Sequence, residues 1–255
     1  MGDLGVRETG NRQYRSGSRP WRIMIVVGGA VLAVMAAVAW ALAPPRGFST
    51  PEKAVEHYVK SVAANKLDAA LAAGVGDLAA RGDFSAVARR TRSLNPLALH
   101  LPSQYRMFAE MNKIRAAAAL AQQTVSFVFG FLATDKDLHG QASDAEIDAF
   151  VQDVDPARLG SLKLLRVDQP LQSVTNSPRA LAQAKEQAAP AGADDSAERI
   201  ALYEWQGRHY FSRFHLLRFG ETWHIDGLFS FYDAGGPSKG TVEPTTPGAY
   251  EALLK

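Results

Sequence analysis

The longest uninterrupted apolar run spans Ile23 to Ala43, 21 residues with no charged or strongly polar side chain. As a helix it would be about 30 Å long, the thickness of a bilayer's hydrocarbon core. Trp21 and Trp40 stand near its ends, spaced so that both rings can reach a membrane interface. Arg7, Arg12, Arg15, Arg19 and Arg22 precede the run, and Arg46 and Lys53 follow it. The excess of arginine on the N-terminal side orients that end toward the cytoplasm. The run exceeds the core of a cleaved signal peptide, and Pro44 directly follows Ala41-Leu42-Ala43, so an uncleaved anchor is expected. This divides the chain into a cytoplasmic basic segment (1–22), a transmembrane helix (23–43), a linker (44–49), an extracytoplasmic domain (50–233) and a flexible tail (234–255).

Beyond the linker the polar and apolar positions change period. Ala54, Val55, Tyr58, Val59 and Val62 recur at three- and four-residue steps, which predicts an amphipathic helix to about Ala64. Ser49 and Glu52 have capping-box spacing, with Pro51 in the first turn. Further helices are predicted over 67–73, 84–93, 103–123 and from Ser143, where Ser143 and Glu146 again have capping-box spacing. Residues 177–196, rich in Ala, Gln, Ser, Pro and Asp, read as a partly helical, exposed insertion. Strands are predicted over 162–167, 199–205, 210–219 and 223–231, with two-residue turns at Gly207-Arg208 and Gly220-Glu221. The end of the tail, from Pro247, can dock as a short helix. No internal repeat or heptad run stands out. The order predicts an α+β fold: an N-terminal transmembrane helix, then helices packed on a curved antiparallel sheet.

Composition narrows the chemistry. With no cysteine, thiolate metal sites, disulfides and cysteine nucleophiles are excluded. Residues 1–22 carry a net charge of +3 and the remainder −1, so the outer part has no basic excess to draw nucleic acid. No glycine-rich phosphate loop and no Gly-x-Ser-x-Gly elbow occurs in the outer part. No cofactor is expected. His209, His215 and His224 lack a carboxylate cluster and metal spacing, so no metal is expected either.

One constellation could carry proton chemistry. A turn at Gly220-Glu221 sets Leu217 opposite His224 and His215 opposite Asp226 on one face of the ribbon. A His–Asp pair there could serve as a general base with its orienting carboxylate, or only tie two strands together. His215, Asp226 and His224 are therefore the catalytic candidates. Tyr203, Trp205, Tyr210, Phe214 and Trp223 share the opposite, more apolar face. That face is either the core against the helices or a ligand or partner surface.

The opening Thr50-Pro51-Glu52-Lys53-Ala54-Val55-Glu56-His57-Tyr58, the step Lys66-Leu67-Asp68-Ala69-Ala70 and the closing Trp223-His224-Ile225-Asp226-Gly227-Leu228 resemble the nuclear transport factor 2-like superfamily. The resemblance covers about 50–72 and 160–232 and implies a cystatin-like roll. That superfamily includes isomerases, dehydratases, ligand binders and non-catalytic assembly modules, so fold alone does not assign an activity. The layout also resembles, in architecture only, the single-pass assembly component of type IV secretion systems. The expected function is a membrane-anchored interaction or scaffold module in the inner (cytoplasmic) membrane, its main domain periplasmic or extracellular, within an envelope or secretion assembly. Its expected partners are the lipid bilayer and either an envelope protein or further copies of itself. The alternative is a small-ligand binder or isomerase-like enzyme using the interior of the roll.

Overall fold

Thr50, not Ser49, starts the first helix. Its hydroxyl accepts from the Lys53 backbone N–H, and Pro51 follows at the first helical position, where a missing N–H costs nothing. The expected Ser49–Glu52 capping box does not form: Ser49 Oγ accepts from Lys53 Nζ, and Glu52 instead pairs with Arg199. The helix, α1, runs Pro51–Ala63 and buries Ala54, Val55, Tyr58, Val59 and Val62. The computed structural model describes residues 47–92, 100–133, 141–229 and 242–255, all within one unit spanning Pro45–Lys255. The predicted membrane segment 23–43, with Trp21 and Trp40, lies outside these residues. Among the described residues, no helix is long and apolar enough to cross a membrane.

The remaining helices follow the predicted order. They are α2 (Leu67–Leu71), α3 (Phe84–Thr91), α4 (Arg106–Leu132), α5 (Asp144–Asp153), α6 (Gln172–Thr175), α7 (Pro178–Ala188) and α8 (Pro247–Ala252), with 3-10 turns at Gly76–Arg81, Pro156–Ser161 and Ala189–Ala191. Ser143 and Glu146 form both halves of the expected capping box at α5. The longest helix, α4, continues nine residues past its predicted end. Thr124, Phe127, Phe131 and Leu132 are buried there, so tertiary packing overrides the weak helix propensity of a β-branched and aromatic run.

The strands β1 (Lys163–Asp168), β2 (Asp195–Trp205), β3 (Arg208–Phe219), β4 (Thr222–Phe229) and β5 (Glu243–Thr245) form one antiparallel sheet. Its order is β1-β2-β3-β4, and β5 pairs with β3 beyond the end of β4. The β2–β3 turn falls at Gln206-Gly207, one residue before the predicted Gly207-Arg208, with φ of +51° and +74°. Positive φ at both central residues is the type I′ geometry that suits a twisted hairpin. Moving the turn by one residue moves the pairing by two, so every side chain keeps its predicted face. The β3–β4 turn is Gly220-Glu221 as expected, with Gly220 at φ +62°.

Helices α1 and α4 pack on one face of the sheet. Tyr58, Phe127, Phe131, Tyr203, Trp205, Tyr210 and Phe214 meet there in edge-to-face contacts with ring centroids 5.2–6.4 Å apart. Tyr58 donates its hydroxyl to Thr124, which donates to the Leu120 carbonyl, so a polar thread through the core is satisfied. The other face is covered at both ends. At one end Tyr250 and α8 sit over Ile200, Leu202 and Phe211. At the other, Val75, Ala79 and Ala188 cover Leu217 and Phe219. Two expectations are corrected here. The insertion expected over 177–196 contains α7, whose Ala188 is buried against the sheet, and the start of β2. The tail expected to be flexible contains β5, while the short helix expected from Pro247 forms as α8; residues 234–241 of the tail lie outside the described set.

The outer edge of β4 is covered rather than left free to pair. Phe48 bridges Trp223, Ala73 and Val75 bond both sides of Ile225, and Gln123 of α4 accepts from the Leu228 N–H at 2.9 Å. Gly74 makes this approach feasible, because a Cβ there would lie 2.5 Å from Leu120.

Candidate functional site

The candidate proton-chemistry pair lies where the β3–β4 ladder breaks register. Phe219 opposes Thr222 and Leu217 opposes His224, as the turn predicts. Then β4 carries one extra residue: Leu216 opposes Ile225, but His215 opposes Gly227, leaving Asp226 outside the pairing. Such a bulge bends the strand and re-aims one side chain. Asp226 turns toward His215, and its Oδ2 lies 3.0 Å from His215 Nδ1. The two residues meet as expected, although through a bulge rather than as opposed partners. The His215 ring also has Phe229 6.3 Å away, edge-on.

The surroundings are ionic. Arg213 and Glu198 pair at 2.7 Å on the same face, and Glu198 is the cross-strand neighbour of His215. His100, from the loop before α4, lies near enough to feel Asp226 and Arg115. Burial holds its pKa below the usual imidazole value, with the Asp226 charge opposing and the Arg115 charge assisting. Asp226 remains 39 % exposed and His215 21 %. Surface hollows lie beside Arg90 and Arg179, beside Asp83 and Ser103, and beside Gly74 and His224, and neither His215 nor Asp226 lines these. The pair is a partly exposed cross-strand contact on the face of the sheet away from α1 and α4.

His224, the third candidate, stands apart from this pair. It is buried, its ring 6.0 Å from Phe219 and its Nε2 3.1 Å from Thr222 Oγ1. Burial lowers its pKa, the Gly74 backbone opposes, and Arg81 lowers it further. Gly47 packs against this ring at φ +129°, and a Cβ there would lie 2.6 Å from Nε2. The position ties the start of the domain to β4. Among the described residues, no three His, Asp or Glu side chains converge as metal ligands.

Of the apolar candidates, Tyr203, Trp205, Tyr210 and Phe214 are buried in the core, and Trp223 packs partly buried against it under the Arg218 guanidinium. They form the core face, not a partner surface. The ligand-binding alternative needs an open interior; among the described residues, large buried side chains occupy this face.

Surface apolarity collects elsewhere, on α4. Met107, Met111, Ile114 and Val125 are 43–67 % exposed, and Ala118 and Ala121 lie on the same side. Near the C-terminal end of the helix, Phe129 stacks on Phe150 of α5, whose Ile147 and Val151 are also exposed. Core contacts of Leu120, Thr124, Phe127 and Phe131 occupy the opposite face. A helix apolar on two faces has little amphipathic signal, so this surface does not stand out in the pattern of the sequence.

No protein-family model matches the sequence, and no curated protein matches it. Among solved structures, a cystatin-like protein from Ruminococcus gnavus is similar, with 20% identity and a TM-score of 0.47; the match covers 80% of this chain and 42% of that one.

Proposed function

We propose that this chain is a membrane-anchored, extracytoplasmic interaction module without catalytic activity, built as a nuclear transport factor 2-like, cystatin-like roll. Its context is an envelope or secretion assembly, with its N-terminus in the cytoplasm. The observation that carries the reading is the exposed apolar face of α4, set on a domain whose interior is closed by its own aromatic side chains. Large exposed apolar side chains aligned along one rigid helix are characteristic of a contact surface. A closed interior leaves no volume for a small substrate. The apolar run at 23–43 and the arginines before it support the anchor and its orientation.

The absence of native cysteine makes the test direct. Single cysteines are placed at Ile114 on the exposed face and at Ala182 on exposed α7, in the full-length protein in its native membrane. A membrane-impermeant maleimide should label Ala182→Cys in intact cells, while Ile114→Cys stays protected until the protein is denatured. Labelling of Ala182→Cys only after lysis would reverse the topology. Equal labelling of both positions in intact cells would remove the interaction surface.

A further inference from the structure

On the reading of α4 as a contact surface, we propose that it pairs in parallel with α4 of a second copy of this chain, making the functional unit a homodimer. The exposed positions Met107, Met111, Ile114, Ala118, Ala121 and Val125 advance by alternating steps of four and three residues. That 3.5-residue spacing is the seam of a left-handed two-helix coiled coil, sustained here for about 27 Å. Met107, Met111, Ile114 and Val125 are 64, 43, 67 and 54 % exposed, so no described element of the chain covers the seam.

The charges beside the seam choose the partner and its direction. With Met111 and Ala118 at the first core position of their heptads, Glu110 falls at the flanking position before the seam and Arg115 at the one after it. These positions are five residues apart, the offset at which a parallel pair brings a residue of one helix beside its counterpart on the other. Glu110 of each copy then meets Arg115 of the other, twice by symmetry. An antiparallel pairing about Ala118 would set Glu110 near Ser126 and lose both contacts. Within one chain Glu110 is held by Lys113 at 3.0 Å, and Lys113 has a second carboxylate, Asp77, at 3.8 Å. Lys113 therefore keeps a partner when Glu110 turns to the second copy.

The centre of the seam distinguishes a helix partner from a bilayer. Residues 116–119 are all alanine, and Ala121 follows. Small side chains at mid-seam let two helices approach closely. A helix lying in a membrane interface instead gains affinity from bulky apolar residues along its length.

The test uses full-length protein in mild detergent, with cross-linking of single cysteines by a short bismaleimide and mass measured by light scattering. Residues on the seam face their own copies across the two-fold axis. Ala118→Cys should therefore give a covalent dimer, and Ala182→Cys should remain uncross-linked. Ile114→Glu should leave the protein monomeric with an unchanged far-ultraviolet circular dichroism spectrum. Glu110→Arg should weaken the dimer about tenfold, because symmetry counts each charge pair twice, and Glu110→Arg with Arg115→Glu should restore it. A monomer in which Ala118→Cys is protected by a different stoichiometric protein would overturn self-pairing while leaving the interaction-module reading intact. Protection of Ala118→Cys that requires only added lipid vesicles would overturn self-pairing in favour of a membrane contact. A monomer with Ala118→Cys freely labelled under all conditions would overturn both readings. A dimer whose charge-swapped double variant is no better than the singles would overturn the parallel register.

Discussion

Phe131 is the side chain on which the closed interior depends most. It is fully buried, and its ring lies 5.2 Å from Phe127, 5.7 Å from Tyr203, 5.8 Å from Trp205 and 5.5 Å from Tyr210. Phe131→Ala removes the ring from contact with all four at once. Truncations of this kind cost about 3–5 kcal/mol, from lost transfer free energy plus the cavity left behind. The four edge-to-face contacts, each contributing about 0.5–1.5 kcal/mol beyond burial, place Phe131→Ala toward the upper part of that range. For a unit of this size 1 kcal/mol moves Tm by about 2–4 °C, so a fall of roughly 10–20 °C is expected. Phe131→Leu, which retains most of the volume, should recover more than half of the loss. Urea unfolding of the full-length protein, followed by tryptophan fluorescence, measures both variants against the unaltered protein. The cavity in Phe131→Ala is apolar and should take up benzene, raising its stability, whereas the unaltered protein should not respond. A loss below about 1 kcal/mol, or benzene stabilising the unaltered protein, would mean that the interior is an open pocket. The ligand-binding alternative would then return.

Other perturbations test the rest of the structure. Tyr250→Ala should destabilise by about 3–5 kcal/mol, measured by urea unfolding. It uncovers Ile200, Leu202 and Phe211 and removes a hydroxyl that lies 2.9 Å from Asp168 and 3.1 Å from the Ile200 carbonyl. Gly47→Ala should cost about 1–3 kcal/mol, because the site has φ +129° and a Cβ there meets His224 and Thr222; thermal unfolding reads it. His100 and His224 have folded-state pKa values lowered chiefly by burial. For a histidine held neutral, the unfolded chain binds more protons, so stability is full above the unfolded value of about 6.5 and falls as pH drops below it. Tm should therefore decline from pH 7.5 to pH 5, and His224→Gln should flatten that decline. Asp226→Asn should change stability by less than about 1 kcal/mol, since an exposed cross-strand pair contributes little.

Much of this architecture is legible along the chain, and the failures have physical causes. Hairpin faces can be read because side-chain alternation survives a slip of the turn by two register positions. Contact between His215 and Asp226 follows from the Gly220-Glu221 turn, but the bulge that makes it does not. A bulge depends on what lies across the strand, here α4 reaching Leu228 through Gln123 and the 73–75 segment bonding Ile225. The end of α4 escapes a local reading because Thr124, Phe127 and Phe131 favour extended backbone and become helical through burial. The pairing of β5 with β3 is equally hidden, since its glycine- and proline-rich approach resembles a free tail, whereas the short docking helix from Pro247 is legible and buries Tyr250.

The face of α4 shows most clearly where one-dimensional reading stops. Helical periodicity marks an apolar face only against a polar opposite. Leu120, Thr124, Phe127 and Phe131 occupy one side, while Met107, Met111, Ile114 and Val125 occupy another, so the two signals cancel. The six-position seam is short and its middle is alanine, a residue as ordinary in a solvated helix as in a coiled coil. Burial separates the two faces: one set is in the core and the other is more than two-fifths exposed. If the buried set alone accounted for α4, Met107, Met111, Ile114 and Val125 could become Glu, Gln or Lys without loss of function, and solubility would rise. On the interaction reading the same substitutions leave folding intact, since no core contact changes, while assembly in the membrane fails. A variant that folds, inserts and no longer functions would locate the activity of this protein on its outer helix surface rather than inside its fold.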